Sequence, residues 1–105
     1  MPEPPNQPFR VIWSQTLREL VRALGKKAIR IGLSEEFFSS VDFILKKLAG
    51  EPLSWGDPVY HLKSVDLVVY HGVCRPFHLY YGVDEERRLV FVKDFLPIPG
   101  QGFDD

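Results

Sequence analysis

Three apolar runs follow one another between residues 65 and 97 and form the strongest pattern in the chain. Val, Leu, Phe and Tyr dominate these runs, and such residues favour β-strands. The pattern predicts a three-stranded antiparallel meander over residues 66–71, 75–83 and 88–95. Gly72 is interpreted as the break between the first two strands, and the charged stretch 84–87 has the length of a hairpin loop. Because the middle run is apolar at almost every position, we expect it to be the buried central strand.

A first helix is predicted after Ser14, a residue that commonly caps helix N-termini. Arg18 and Arg22 fall off its apolar face and are expected to point to solvent. Residues 26–31 fit either a last helical turn or a loop. The apolar face is predicted to consist of Leu17, Leu20, Val21 and Leu24, which recur at helical spacing.

A second helix is predicted over residues 35–49. Acidic residues stand in its first turn and lysines in its last turn, which complements the helix dipole at both ends. Gly50 and Pro52 then end the helix. Its apolar face is predicted to consist of Phe37, Val41, Ile44, Leu45 and Leu48.

The remaining segments complete the predicted order. Residues 9–13 read as a strand at an edge of the sheet or inserted into the meander, residues 52–58 as a loop, and residues 59–63 as a short strand or an extended lead-in to the meander. The proline-rich residues 1–8 are expected to be a disordered tail, residues 9–97 the domain, and residues 98–105 a C-terminal tail that trails off the sheet. The predicted class is α+β, with an N-terminal strand and two helices on one face of an antiparallel sheet.

Composition limits the class of protein. A chain of 105 residues with 45% hydrophobic and 26% charged residues is expected to be one folded domain. No apolar run reaches the length of a membrane span, and the N-terminus lacks the features of a signal peptide. The single cysteine, Cys74, excludes an internal disulfide. These features predict a cytoplasmic protein that does not enter the membrane.

Charge is unevenly distributed, although the net charge is only −1. Residues 10–30 contain six cations and one acid, which gives this segment a local charge of +5. Such a face can bind an anionic partner, or it can be an ordinary solvated helix surface. Both interpretations stay open from the sequence.

Candidate chemistry is concentrated near the central strand. Alternation along a strand places Phe77, Leu79, Tyr81 and Val83 on the core face and His78 and Tyr80 on the other face. The candidate polar cluster is Arg75, Lys63, His78 and Tyr80. Alternation places Arg75 on the same face as the core residues. Either its long side chain must extend out of that face, or Arg75 must lie before the strand begins.

No cofactor or metal site is predicted. The three histidines are ten and seven residues apart, whereas zinc sites usually pair ligands two to five residues apart. The glycines after the last strand do not form a phosphate-binding loop. Cys74 beside Arg75 fits either a reactive thiolate or, more simply, a buried structural cysteine.

The order strand, helix, helix, meander, with an arginine opening the central strand, resembles the RelE/ParE toxin superfamily. The hairpin pattern Tyr-x-Val-Asp-Glu-x-x-Arg-x-Val carries the same resemblance, and here it runs from Tyr81 to Val90. The resemblance spans residues 9–97. It implies the toxin of a type II toxin–antitoxin system, with a small antitoxin as its partner.

Two activities follow from the resemblance. RelE-like members cleave mRNA on the ribosome with clustered Arg and Lys and a C-terminal Tyr or His, whereas ParE-like members inhibit DNA gyrase. Arg75 matches the arginine at the head of the central strand, and Lys63 is expected to replace the basic residues before it, with His78 or Tyr80 moving a proton. The segment FLPIPGQGFDD has no Tyr, His or Arg and therefore departs from the RelE-like pattern. A non-toxic protein-binding module on the same scaffold is the alternative.

Overall fold

The chain folds in the order strand, three helices, four strands in the computed structural model, which describes residues 7–104. The elements are β1 (Arg10–Ile12), α1 (Gln15–Ile31), α2 (Ser34–Gly50), α3 (Pro52–Trp55), β2 (Asp57–Leu62), β3 (Leu67–Cys74), β4 (Phe77–Asp84) and β5 (Leu89–Pro97). None of the helices in this range is long and apolar enough to cross a membrane. The predicted tail over residues 1–8 lies mostly outside the described residues.

The five strands form one sheet in the order β1-β5-β4-β3-β2. Strands β2 to β5 are an antiparallel meander, and β1 pairs with β5 in parallel at one edge. The predicted α+β class and the predicted central strand are both confirmed. The position of β1 also decides between the two alternatives for the first strand in favour of the edge.

Helices α1 and α2 cover one face of the sheet because each presents an apolar stripe to it. The stripe of α1 is Leu17, Leu24 and Ala28, and that of α2 is Phe37, Ile44 and Leu48. These side chains pack against the inner residues of β4 and β5 to form the core. The four residues predicted for the core face of β4 are all buried: Phe77, Leu79, Tyr81 and Val83.

Helix α1 extends beyond Leu24, the last residue of its predicted apolar face. It continues through the ambiguous segment 26–31 and ends at Gly32, whose φ of 76° suits a glycine C-cap. At its start, the Ser14 hydroxyl accepts a hydrogen bond from the Leu17 amide at 3.1 Å, as an N-cap should.

Two predicted apolar positions are not in the core. Leu20 is 37% exposed and Leu45 is 39% exposed, so neither belongs to the buried stripe of its helix. Both residues fit helical spacing, but each lies at the margin of a stripe about 100° wide. Ala28 and Ser40 are buried in the two stripes instead.

The break between the first two meander strands was predicted at the wrong residue. Gly72 lies inside β3 and pairs with Leu79, whereas the turn is the two-residue segment Arg75–Pro76 between paired Cys74 and Phe77. Proline lacks the N–H that a central strand needs, which explains why the turn forms there. Arg75 therefore precedes the central strand rather than opening it.

Two further segments differ from the sequence interpretation. The predicted loop 52–58 contains the short helix α3 and the first residues of β2. The C-terminal segment returns to the core through Phe103, whose ring lies 5.0 Å from that of Phe77 and 6.3 Å from that of Phe37. Contacts with neighbouring aromatic rings stabilise the buried position of this side chain relative to a solvent-exposed one.

Candidate functional site

The face of the sheet opposite α1 and α2 carries the predicted polar residues His78 and Tyr80. Strand alternation places them there, and the pairing of β3 with β4 adds His71 beside Tyr80. The His71 and Tyr80 rings lie 4.7 Å apart at a tilt of 32°. We call this face, with Tyr60, His71, His78, Tyr80 and Asp94, the open face of the sheet.

His71 and His78 share a hydrogen bond. The Nε2 atom of His71 and the Nδ1 atom of His78 are 2.9 Å apart, and the two rings meet edge to face with centroids 5.1 Å apart. One of these nitrogens donates a proton and the other accepts it. Partial burial lowers the pKa of His78, and the neighbouring His71 lowers it further, because charging the second imidazole beside the first is unfavourable.

The sequence missed His71 because Gly72 was taken as the end of a strand. Reading residues 67–74 as one strand puts His71 and Val73 on the same face, and Val73 pairs with His78. The signal that would have found this pair was the proline after Arg75, which marks the true turn.

The two predicted cations are not brought together. Lys63 lies in the turn between β2 and β3, and Arg75 lies in the turn between β3 and β4. The eight residues of β3 separate these turns. At about 3.3 Å per residue, that places the two turns about 25 Å apart, too far for two side chains to hold one phosphate.

Acids oppose the histidines and tyrosines on the open face. Asp57 is the cross-strand partner of His71, and Asp94 is the partner of Tyr80. Lys93, at the bulge in β5, donates a hydrogen bond of 3.3 Å to the Tyr60 hydroxyl. A phosphate-binding surface needs several cations, and this charge pattern does not supply them.

Arg75 is exposed, and its guanidinium makes no ion pair or hydrogen bond with the residues that the structure describes. Its backbone carbonyl accepts a hydrogen bond of 2.7 Å from the hydroxyl of Ser40, which ties the turn to α2. Burial raises the pKa of the adjacent Cys74 thiol, and a hydrogen bond with Ser40 opposes this only in part. Cys74 is therefore a structural cysteine rather than an activated thiolate.

A second surface is a groove lined by residues of α1 and α2 and by Trp13. The groove has a volume of about 240 Å³, and its lining is mostly apolar. Two arginines, Arg18 and Arg22, stand at its rim. The remaining lining residues are Trp13, Val21, Val41 and Leu45. We call this surface the α1–α2 groove.

The hairpin pattern that carries the family resemblance serves the fold. Asp84 accepts a hydrogen bond of 3.1 Å from the Arg87 amide and closes the turn. The Arg88 guanidinium lies 3.9 Å from the centre of the Phe9 ring and fixes the chain just before β1. Tyr81, Val83 and Val90 of the same pattern are buried in the core.

The structure resembles one chain of the toxin–antitoxin complex RelBE2 from Mycobacterium tuberculosis. The TM-score is 0.59 at 24% sequence identity, and the match covers 86% of this chain and 91% of that chain. The chain has a RelE-like fold. No protein-family model and no curated protein sequence matches it significantly. The predicted RelE/ParE resemblance is thus confirmed at the level of the fold.

The RelE-like fold does not by itself assign roles to the predicted site residues. His78 and Tyr80 lie together on the open face, whereas Arg75 and Lys63 lie at opposite ends of β3. Catalysis by these four residues stays a prediction. Among residues 7–104, no three His, Cys, Asp or Glu side chains form a group that would hold a metal ion.

Proposed function

We propose that this chain is a toxin-like subunit of a toxin–antitoxin pair and that a small antitoxin binds it in the α1–α2 groove. The observation that carries the proposal is the RelE-like fold, shared over most of both chains with a component of a toxin–antitoxin complex. A small protein that is inhibited by a bound partner needs a surface to which that partner can bind. The α1–α2 groove has the properties of such a surface.

The groove combines apolar contact area with a cationic rim. Leu45 is 39% exposed within the groove, and Phe38, about two turns before it on α2 and outside the groove lining, is 58% exposed. Clustered exposed apolar residues mark interaction sites on soluble proteins. Arg18 and Arg22 favour an acidic partner, so the occupant is an amphipathic segment with apolar anchors and carboxylates beside them.

We infer that toxicity arises from binding a target rather than from cleaving RNA. Among residues 7–104, the open face shows no cluster of Arg and Lys such as the RelE-like activity requires; Asp57 and Asp94 lie there with Lys93. Without several cations, neither the substrate phosphate nor the charge that develops during cleavage is stabilised. Of the two targets that the resemblance implies, DNA gyrase fits this inference and ribosome-bound mRNA does not.

Induced expression of the chain alone tests the proposal. We expect growth arrest that is relieved by co-expression of the short acidic protein encoded beside it, and recovery of the two proteins as one complex. Purified chain should leave ribosome-bound mRNA intact and should inhibit DNA supercoiling by gyrase. Cleavage of the message, or failure to bind the neighbouring protein, would contradict the proposal.

A non-toxic binding module is the second candidate. The acidic open face of the sheet favours this candidate as well, since such a surface suits neither nuclease chemistry nor nucleic-acid binding. The two candidates differ in one measurement. The module predicts a stable complex through the α1–α2 groove with no growth arrest, whereas the toxin-like subunit predicts both.

A further inference from the structure

Two imidazole nitrogens converge on one point of the open face. The Nε2 atom of His71 and the Nδ1 atom of His78 are 2.9 Å apart, and the proton of their hydrogen bond occupies the space between them. A metal ion can replace this proton by binding both nitrogens from one side of the line that joins them, because neutral imidazole nitrogens are common ligands of divalent transition metals. The geometry points to a metal site: we propose that His71 and His78 together bind a divalent transition-metal ion, Ni²⁺ or Cu²⁺ in preference to Zn²⁺.

The spacing of the two nitrogens favours one class of coordination geometry. With metal–nitrogen bonds of about 2.0–2.1 Å, two nitrogens 2.9 Å apart subtend an angle of about 90° at the ion. That is the angle between adjacent ligands in the square-planar and octahedral sites of Cu²⁺ and Ni²⁺. Tetrahedral Zn²⁺ requires a wider angle, and the two strands would have to separate to provide it.

The sheet holds the two rings in place before an ion arrives. His71 pairs with Tyr80 and His78 pairs with Val73 across the β3–β4 ladder, so both histidines lie on adjacent strands of the same rigid hairpin. The Tyr80 ring lies against His71 at 4.7 Å and restricts its rotation. A preorganised pair of ligands loses little side-chain entropy on binding.

The surrounding charges favour a cation. Asp57 stands opposite His71, and Asp94 stands opposite Tyr80. Two cations also lie near this hairpin: Lys93, whose ammonium group is directed to the Tyr60 hydroxyl at 3.3 Å, and the exposed Arg75 in the β3–β4 turn. The same pattern that disfavours phosphate therefore attracts a positive ion.

The site supplies two protein ligands. Because the described residues contain no group of three or more His, Cys, Asp and Glu side chains suited to a metal, the other coordination positions are left to water or to a ligand from another molecule. The bound ion is thus exchangeable and exposed, unlike a structural zinc enclosed by four ligands.

Titration of the untagged chain with Ni²⁺, followed by two-dimensional amide NMR, tests the proposal without any substitution. Paramagnetic Ni²⁺ should broaden the signals of His71, His78 and their strand neighbours first. Zn²⁺ should produce weaker shifts at the same residues and should not displace Ni²⁺ at equal concentration. Broadening centred on another part of the chain, or stronger binding of Zn²⁺ than of Ni²⁺, would overturn it.

Variants at the three histidines provide the second test. His71→Gln and His78→Gln should each weaken Ni²⁺ binding by at least about tenfold, since loss of even an outer-shell partner of a metal costs about 10- to 100-fold. His61→Gln is the matched control, because His61 is the third histidine and pairs instead with Asp66 at 2.9 Å. An equal loss in the control, or no loss in the other two, would assign the ion elsewhere and refute the site.

Discussion

Tyr81 joins three parts of the fold through one hydroxyl group. Its Oη atom donates a hydrogen bond of 2.6 Å to the Pro52 carbonyl and accepts one of 3.0 Å from the Gly56 amide. Its ring stacks between Trp55 and Tyr70, with centroids 5.9 Å and 5.5 Å away. Burial raises the pKa of Tyr81 to about 12, because the phenolate would lose its hydration.

Tyr81→Phe should lower the free energy of unfolding at neutral pH by about 1–3 kcal/mol, since it leaves two buried backbone groups without a partner. The wild-type pKa also predicts a pH dependence. A folded-state pKa near 12, against an unfolded-state value of about 10, gives a stabilisation that is complete below pH 10 and is lost as the pH rises from about 10 to 12. Tyrosinate absorbance during alkaline titration checks this, because the variant should lack the latest phase. An unchanged titration would show that Tyr81 is hydrated in solution.

Arg75 was predicted to be a site residue, and the structure shows it as an exposed residue of the β3–β4 turn. An arginine in such a turn could instead have a structural role, paired with a nearby acid such as Asp66. Asp66 instead contacts His61 at 2.9 Å, in the turn at the other end of β3. Arg75 is thus an exposed turn residue whose side chain does not hold the fold together.

Arg75→Ala should therefore change the free energy of unfolding by no more than about 0.5 kcal/mol, the usual range for an exposed position. If the chain acts by binding rather than by cleaving RNA, growth arrest should persist in the same variant. Denaturant unfolding and a growth assay on one protein separate the possibilities. Loss of growth arrest with unchanged stability would contradict this prediction and would support the phosphate-binding role that the family resemblance implies for Arg75.

At the scale of elements, α3 is the segment that the sequence did not predict. Its Trp55 ring lies directly over Gly72 of β3, and a Cβ atom at that glycine would be only 2.5 Å from the ring. Gly72 is therefore needed for close packing rather than for a turn. Gly56 is similarly confined, since a Cβ atom there would lie 2.6 Å from the Tyr81 hydroxyl.

Gly72→Ala should force Trp55 out of its position and lower the free energy of unfolding by about 1–3 kcal/mol, the usual cost of overpacking. Tryptophan fluorescence should shift to longer wavelength as the ring becomes hydrated. Gly50→Ala is the matched control, because nothing lies within 4 Å of a Cβ atom at that helix end. Equal stability of the two variants would mean that α3 does not pack against β3 in solution.

These elements also show what the sequence can and cannot reveal. The long, strongly periodic segments were predictable: α2 was expected over 35–49 and extends over Ser34–Gly50, and the central strand was expected over 75–83 and extends over Phe77–Asp84. Local patterns could not show that Gly72 lies beneath an aromatic ring, because that contact joins residues far apart in the chain. The hydrogen bond between His71 and His78 was missed for a different reason: the turn was placed at Gly72 instead of Arg75–Pro76, which changes the register of the two strands.

At the scale of the whole molecule, the two faces differ in chemistry. The open face of the sheet carries histidines, tyrosines and acids, whereas the helical face carries an apolar groove whose lining includes Arg18 and Arg22 of α1. The segment 10–30, with its local charge of +5, contributes the cationic rim. The cationic and apolar chemistry of the helical face is thus separate from the imidazole, phenol and carboxylate chemistry of the open face.

Leu45 is the residue through which the groove is best tested. The sequence pattern placed it in the core, but the structure leaves it 39% exposed on the groove lining, near Arg18 and Arg22. Leu45→Glu removes an apolar contact and places a carboxylate where an acidic partner would have to bind. We expect the affinity for the antitoxin to fall by at least about tenfold, the equivalent of about 1.4 kcal/mol, as measured by calorimetry.

Val65→Glu is the matched control for this prediction, because Val65 is an equally apolar and more exposed residue, at 60%, in the distant β2–β3 turn. It introduces the same charge change outside the groove, so binding should stay within about twofold of wild type, a difference of about 0.4 kcal/mol. Both variants should keep the thermal stability of the parent, since neither side chain is buried. If Val65→Glu weakens the complex as much as Leu45→Glu, net charge rather than the groove governs association. If neither variant weakens it, the partner docks on another surface, and the edge strand β2 is the next place to search.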